Sequence, residues 1–307
     1  MTSSQKSSVQ TNSNEPADTQ RRGFGRAAFG AAAIGAMAAA GLTLPTVTAQ
    51  AQTITDVDIF NFALNLEYLE AEFYLRAATG VGLAASDTTG VGPLGAVTGG
   101  SRVPFRSSYV QQYAEKIAID EQVHVKFIRA VLGGSAVARP AINFTDAFNG
   151  LALAAGLIVP GQTFNPFADE IGFLLGAFIF EDVGVTAYSG AAPLITSKPL
   201  LSYAASVLAV EAYHGGAIRA LLCNLGGQAA ANKITALRGR LSASGLPGEG
   251  DERALTTPGG NFYNIAPTDE QGQTFRRTPR QVLNIVYGGV NAPTGLFFPA
   301  GMNGAIR

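Results

Sequence analysis

The sequence predicts an all-α protein: a four-helix bundle with one long central crossover and a mostly irregular C-terminal extension. Two observations lead to this fold class. Four segments of more than about 20 residues repeat their apolar residues with a helical period, and they are too long and Ala-rich to be strands. A connection of roughly 30 residues separates the second segment from the third, which is typical of a bundle whose two helix pairs are joined by a crossover.

Composition limits the classes of function. The chain has 307 residues, of which 47% are hydrophobic, so it can bury one sizeable core. Charged residues make up 14% and the net charge is −1, which excludes the basic surface expected of a nucleic-acid-binding protein. The single cysteine, Cys223, excludes an internal disulfide framework.

Residues 1–51 are predicted to be a twin-arginine signal peptide that precedes the folded domain. Two arginines, Arg21 and Arg22, come before a mildly apolar stretch over 27–44 and a small-residue cleavage site that ends at Ala51. This pattern predicts export to the periplasm or the medium, with no membrane attachment after cleavage. The alternative is an N-terminal segment that is retained as a membrane anchor.

The bundle is predicted to occupy residues 54–227. Its helices are expected at Asp56–Ala78, Ser107–Leu132, Asn165–Gly190 and Ser197–Gly226. Acidic residues in the first turn favour the start of the first helix, and Gly133 ends the second. Asn165 is expected to be the N-cap of the third helix, with Pro166 as its first residue.

The connecting segments are mostly irregular. Residues 79–104 form a Gly-rich loop, and the crossover is expected to contain a helix over 145–158. The extension over 228–307 is rich in Gly, Pro, Asn and Thr, and one short helix is predicted there, over 279–287.

Each bundle helix carries a glutamate in the middle of its apolar stripe. These residues are Glu67, Glu121, Glu181 and Glu211. The second and fourth helices add His124 and His214 three residues later, one turn along the same face, and the chain has only these two histidines.

Packing alone does not explain these stripes. A buried, ionised carboxylate costs several kcal/mol unless it is paired, and no Lys or Arg lies on the stripes. Two divalent cations would neutralise the four carboxylates and accept the two imidazoles as further ligands. The sequence therefore predicts a dinuclear metal site.

These motifs resemble the ferritin-like superfamily of dinuclear carboxylate proteins. LNLEYLEAEFYL over 64–75 is similar to the first-helix signature of ferritins, and IDEQVH over 119–124 is similar to the second-helix signature. The second half of the chain repeats both patterns. The tail segments TPRQVLNIVYGG and LFFPAGMNG most resemble the secreted ferritin-like proteins that are grouped with plant desiccation-related proteins.

The resemblance implies roles for the ligands. Glu67 and Glu181 would be terminal or bridging carboxylates, and Glu121 and Glu211 would bridge the two ions. His124 and His214 would each complete the coordination of one ion. The four glutamates and two histidines are therefore the predicted metal ligands.

Four further residues are expected around the ligands. Glu70 is interpreted as an acid beside the site, with a ligand that replaces or supplements Glu67 as the alternative. Tyr74 and Tyr188 are interpreted as packed bundle tyrosines, with hydrogen-bond partners of ligands or redox-active groups as the alternatives. In related proteins the Asp before a ligand Glu accepts a hydrogen bond from the opposite histidine, which implies that Asp120 reaches His214.

His124 lacks an equivalent carboxylate, because Val210 precedes Glu211. Its partner is expected to be Asp182 or a backbone carbonyl.

The resemblance also implies a function. The cofactor is expected to be two divalent ions, iron first and manganese second, and the site would oxidise ferrous iron or consume peroxide or oxygen in stress defence. The alternatives are a stress-protective or interaction protein that binds metal without catalysis, and a metal-free scaffold. The long first loop and the C-terminal extension disfavour a 24-subunit cage and are compatible with a small homo-oligomer.

Overall fold

A computed structural model describes residues 53–242, 254–255 and 263–307. The predicted signal peptide, 1–51, lies outside these residues. Residues 54–307 form one compact unit. Its α-helices, within the described residues, are α1 Asp56–Thr79, α2 Ser108–Leu132, α3 Phe144–Ala155, α4 Glu170–Ala191, α5 Lys198–Asn224, α6 Gln228–Ser242 and α7 Pro279–Val286.

The predicted all-α fold class is confirmed. Helices α1, α2, α4 and α5 form the bundle, in which α1 packs along α2 and α4 packs along α5. The crossover between α2 and α4 contains α3 and the strand Ile142–Asn143, which pairs in parallel with Val97–Thr98 of the first long loop. This pairing ties the two longest connections of the bundle together.

The start of α4 differs from the prediction. Asn165 Oδ1 accepts a hydrogen bond from the backbone N–H of Phe167, only two residues later, so Asn165 stabilises a turn and does not cap the helix. The N-cap is Asp169, whose side chain accepts from the backbone N–H of Gly172 at 2.7 Å. The predicted N-cap was therefore placed one turn too early.

The C-terminal extension contains more helix than the sequence predicted. The prediction of a single short helix there was wrong, because α6 precedes α7. Ile234, Leu237 and Leu241 of α6 are buried, and Arg238 donates hydrogen bonds to the Phe178 carbonyl and to Asp182 on α4. These contacts make α6 a support for the bundle helix that carries Glu181.

An aromatic cluster centred on Phe73 joins the crossover and the extension to the bundle. Phe144 and Phe148 of α3 lie against Phe73 of α1, with ring centroids 6.0 and 5.7 Å away. Phe297 of the extension packs against Phe148 and Phe180 at 5.1 and 5.0 Å. Aromatic pairs at these separations each add about 0.5–1.5 kcal/mol beyond the burial of their area.

The end of the chain is held against α1 close to the predicted site. The Asn65 side chain donates to the Asn303 carbonyl at 2.8 Å and accepts from the Asn303 backbone N–H at 3.1 Å. Asn65 lies two residues before Glu67, so the extension helps to fix the position of this glutamate.

One segment in the described part of the chain, Glu170–Leu194, is long and apolar enough to cross a membrane, with a mean hydropathy of 1.5. Its most apolar window is 94% buried inside the protein. Burial of this kind is typical of the core helix of a bundle, which accounts for the composition of α4.

Candidate metal centre

The structure brings all six predicted ligands together in the interior of the bundle. Their exposed fractions are 0% for Glu67, Glu121 and Glu211, 1% for Glu181, 8% for His124 and 6% for His214. The ligand atoms fall into two groups, and within each group all atoms lie within 4.8 Å of one another. The first group is Glu67, Glu121, His124 and Glu211, and the second is Glu121, Glu181 and His214.

Glu121 belongs to both groups, which is the position expected of a carboxylate that bridges two ions. Its Oε2 lies 3.3 Å from His124 Nδ1, and its Oε1 lies 3.1 Å from His214 Nδ1. The two imidazole rings are 6.4 Å apart between centroids. Each histidine therefore faces a different oxygen of the same carboxylate.

Several of these buried atoms have no hydrogen-bond partner among the described residues. They are Glu67 Oε2, Glu121 Oε1, Glu181 Oε2, both Glu211 oxygens and His214 Nδ1. Some lie near one another, such as Glu121 Oε1 and His214 Nδ1 at 3.1 Å, but these contacts lack the alignment of hydrogen bonds. Buried polar atoms are rarely left unpaired unless an ion or water completes the site. These side chains therefore fit metal ions.

The burial of so many acids shifts their pKa values upward. Burial raises the pKa of Glu67 to about 7, and burial together with the neighbouring glutamates raises the pKa of Glu211 well above its ordinary range. For Glu121 the same burial effect is outweighed by the close contacts with the two histidines and by their charges, which lower its pKa to about 2.

The pKa values of the two histidines are raised as well, although burial alone would lower them. Burial lowers the pKa of an imidazole, but the facing carboxylates outweigh it and raise the pKa of His124 and of His214 to about 12. Without cations, the cluster thus balances its negative charge with protons on both imidazoles and on some carboxylates. A metal ion that binds these ligands has to displace those protons.

Two tyrosines each bind a glutamate of the opposite half of the bundle. Tyr74 on α1 donates to Glu181 Oε1 on α4, and Tyr188 on α4 donates to Glu67 Oε1 on α1. In each glutamate the other oxygen, Oε2, stays without a hydrogen bond and faces a histidine. The tyrosines thus orient both carboxylates so that one oxygen of each points to the centre.

Asp120 makes the contact with His214 that the family resemblance implied. Asp120 Oδ2 lies 3.1 Å from His214 Nε2, while Nδ1 of the same ring faces the glutamates. A carboxylate on the outer nitrogen fixes the tautomer and raises the basicity of a histidine ligand. Lys116, one turn earlier on α2, pairs with the other oxygen of Asp120.

Within the part of the chain that the structure describes, no carboxylate contacts the outer nitrogen of His124, and the suggestion that Asp182 takes this role was wrong. Asp182 accepts hydrogen bonds from Arg219 at 2.9 and 2.8 Å and from Arg238 at 2.7 Å. These guanidinium groups outweigh the effect of burial and lower the pKa of Asp182. The charged Asp182 therefore stabilises the contact between α4, α5 and α6.

Replacing Asp120 with Asn should weaken metal binding by about 10–100-fold, the usual range for a partner of a histidine ligand. Val210→Ala, at the corresponding position before Glu211, should change the affinity little. Lys116→Ala separates the loss of the Lys116 ion pair from the loss of the histidine contact. Titration of the metal-free variants with Mn²⁺ measures these affinities, and equal affinities in Asp120→Asn and the parent would show that the contact with His214 has no role.

Glu70 is buried beside the ligands but lies outside both ligand groups. Burial first, and then the charges of Glu121 and Glu67, raise its pKa well above the ordinary range. The structure thus places Glu70 as a neighbour of the centre, as the first interpretation expected, and its alternative role as a ligand stays untested.

Sequence reasoning missed Gly184, which makes space for a ligand. A Cβ atom at this position of α4 would lie 2.3 Å from Glu211 Oε2 and 3.3 Å from Glu70 Oε1. A glycine one turn after a ligand, inside a buried helix where it costs stability, was the available signal.

The comparisons with known proteins agree with this geometry. A family model described as a ferritin-like domain matches residues 55–224. The chain is 30% identical over 273 residues to the ferritin-like catalase Nec2 of Nesocodon mauritianus, covering 82% of this chain and 84% of that protein. It is also 30% identical over 249 residues to the desiccation-related protein PCC13-62 of Craterostigma plantagineum, covering 75% and 76%. No solved structure matches the chain significantly.

Proposed function

The chain belongs to the ferritin-like domain family, and we propose that it is an exported dinuclear metal protein that consumes hydrogen peroxide. The observation that carries the proposal is the set of buried, unpaired ligand atoms on four helices. The name of one relative, a catalase, supports peroxide as the substrate. The Arg21-Arg22 pair and the apolar stretch after it support export.

The ligand set supports two divalent ions, with iron as the first choice and manganese as the second. Four carboxylates carry four negative charges, which two divalent cations balance while two neutral imidazoles complete the coordination. Glu121, which belongs to both ligand groups, would bridge the ions, whereas Glu211, which was also expected to bridge them, falls in the group of His124 alone. Glu67 with His124 would hold one ion, and Glu181 with His214 the other.

The proposed reaction converts two molecules of hydrogen peroxide into two of water and one of dioxygen. One peroxide is reduced and the other is oxidised, and a metal pair held by these ligands would take up the two electrons from one and pass them to the other. The protein's own contribution is orientation. Tyr74 and Tyr188 hold Glu181 and Glu67 in place, and Asp120 holds the ring of His214.

An oxygen electrode tests this proposal on protein loaded with iron or with manganese. We expect two ions per chain and one dioxygen released for every two peroxides consumed, while the metal-free protein releases none. Rapid oxidation of ferrous iron without release of dioxygen from peroxide would contradict the peroxide assignment and favour iron oxidation.

A protective role without catalysis is the second candidate, and the similarity to a desiccation-related protein favours it. It makes a different prediction. An unrelated test enzyme dried together with this protein would keep its activity equally well with the metal-free and the metal-loaded forms, and neither form would consume peroxide.

A further inference from the structure

A groove of about 490 Å³ opens between α2 and α5 on the surface of the bundle. It exists because these two helices touch at few points, whereas each packs closely along its own partner. Tyr113 and Lys116 of α2 form one wall, and Val210, Tyr213 and Ala217 of α5 form the other.

The groove leads to the candidate metal centre. His214 and Asp120 are among the residues that line it, and they are the pair whose contact orients this predicted ligand. His214 is only 6% exposed, whereas Tyr213 beside it is 81% exposed, so the groove has both an exposed and a buried wall residue. The groove therefore ends at the side of His214 that contacts Asp120, and the other nitrogen of the same ring faces Glu121 and Glu181.

The lining suits a small neutral molecule better than a metal cation. Lys116 and Asp120 pair with each other, and Asp120 also contacts His214 at the inner end of the groove. The remaining lining consists of tyrosines, an amide and aliphatic side chains. A route for cations needs unpaired acidic groups that attract positive charge. The tyrosine hydroxyls and the ion pair offer hydrogen bonds to a polar, uncharged guest.

We propose that the groove between α2 and α5 is the route by which a small neutral oxidant, of the size of hydrogen peroxide, reaches the metal centre. This inference rests on the proposed function, because it needs a metal centre that reacts with such a molecule. Ala217, one turn beyond His214 on α5, is a wall residue where a larger side chain narrows the route without removing a predicted ligand.

Graded chemical blocking tests the route in the folded, metal-loaded protein. Ala217→Cys introduces a thiol into the groove, and thiol-specific reagents then attach either a methylthio group or a bulky aromatic group through a disulfide. The native Cys223 provides a low background, because it is 3% exposed and burial raises the pKa of its thiol. The matched control is Ala205→Cys, which lies exposed on the same helix and does not line the groove.

Two readouts separate the route from the catalytic proposal. The first is the rate of peroxide consumption, and the second is the relaxation of bulk water protons by the manganese-loaded protein, which depends on water reaching the paramagnetic ion. The bulky label at Ala217→Cys should lower the peroxide rate by about 10-fold or more, within the one to three decades over which related association rates vary. It should also lower the relaxation, the methylthio label should have a smaller effect, and reduction should restore both.

Unchanged values of both readouts in the bulky-labelled Ala217→Cys protein, with metal still bound, would overturn the route. An equal loss in the labelled Ala205→Cys control would overturn it as well. If the unlabelled protein binds manganese but does not consume peroxide, the proposed function fails while the water relaxation still tests the route. If the chain binds no metal, both proposals fail together.

Discussion

Replacing Glu121 with glutamine is expected to abolish the binding of both metal ions, and with it the consumption of peroxide. Glu121 is the carboxylate shared by the two ligand groups, and its two oxygens face different histidines. An amide of similar shape keeps the packing but removes the charge and one ligand oxygen. The affinity should fall by more than about 100-fold, beyond the range for residues that only support a ligand. Metal analysis after gel filtration measures this loss.

Glu115→Gln is the matched control for this change. Glu115 lies on the same helix, is exposed, and bonds to the Gln111 side chain at 2.7 Å, so its replacement should leave metal content and activity unchanged. Two ions per chain in Glu121→Gln, bound at the parent affinity, would contradict the shared-ligand arrangement.

The second large effect is on stability: the metal-free and metal-loaded proteins should respond to pH in opposite directions between pH 5 and 8. Metal present at about 1,000 times its Kd adds about 4 kcal/mol to the free energy of unfolding. That corresponds to a rise in Tm of about 8–16 °C, at about 2–4 °C per kcal/mol for a domain of this size. Calorimetry of both forms across this pH range measures the effect.

The opposite directions follow from the protons that each form holds. In the metal-free protein the pKa of Glu67 is raised from 4.5 to about 7, so the stability it contributes is fully present below pH 4.5 and is lost as the pH rises through 7. The pKa of His124 and of His214 is raised from 6.5 to about 12, so the stability that these residues contribute also decreases as the pH rises above 6.5. The pKa of Glu121 is lowered from 4.5 to about 2, so this residue changes the pH dependence of stability only below pH 5.

In the metal-loaded protein the ligands hold no protons, so the folded state binds fewer protons than the unfolded state. Its stability therefore rises with pH across the ordinary pKa values of glutamate and histidine. The difference in Tm between the two forms should widen from pH 5 to pH 8. A constant difference would mean that the metal does not displace protons from these side chains.

The bundle and its six convergent side chains could be predicted because both depend on local periodicity. A glutamate followed three residues later by a histidine places both on one helix face, whatever the rest of the chain does. The cost of burying unpaired carboxylates then pointed to metal, and the contact of His214 with Asp120 is where the family resemblance placed it.

The features that the sequence did not specify depend on tertiary packing. Hydrogen bonds from Tyr74 and Tyr188 to ligands were only the alternative interpretation, and their glutamate partners in the opposite half depend on the register between α1 and α4, which no local pattern specifies. Asp182 was suggested as a partner of His124 because its arginine partners could not be foreseen. Arg219 comes from α5, and Arg238 comes from α6, a helix that had not been predicted. The apolar residues of α6 do recur with a helical period, but the Gly, Pro, Asn and Thr content of the extension as a whole favoured irregular structure.

The most direct test of the dinuclear centre is anomalous X-ray diffraction from crystals of the metal-loaded protein, recorded on both sides of the absorption edge of the metal. A dinuclear site predicts two anomalous peaks about 3.5–4 Å apart, enclosed by the four glutamates and two histidines. One peak shared by all six ligands, or peaks only at the protein surface, would contradict it.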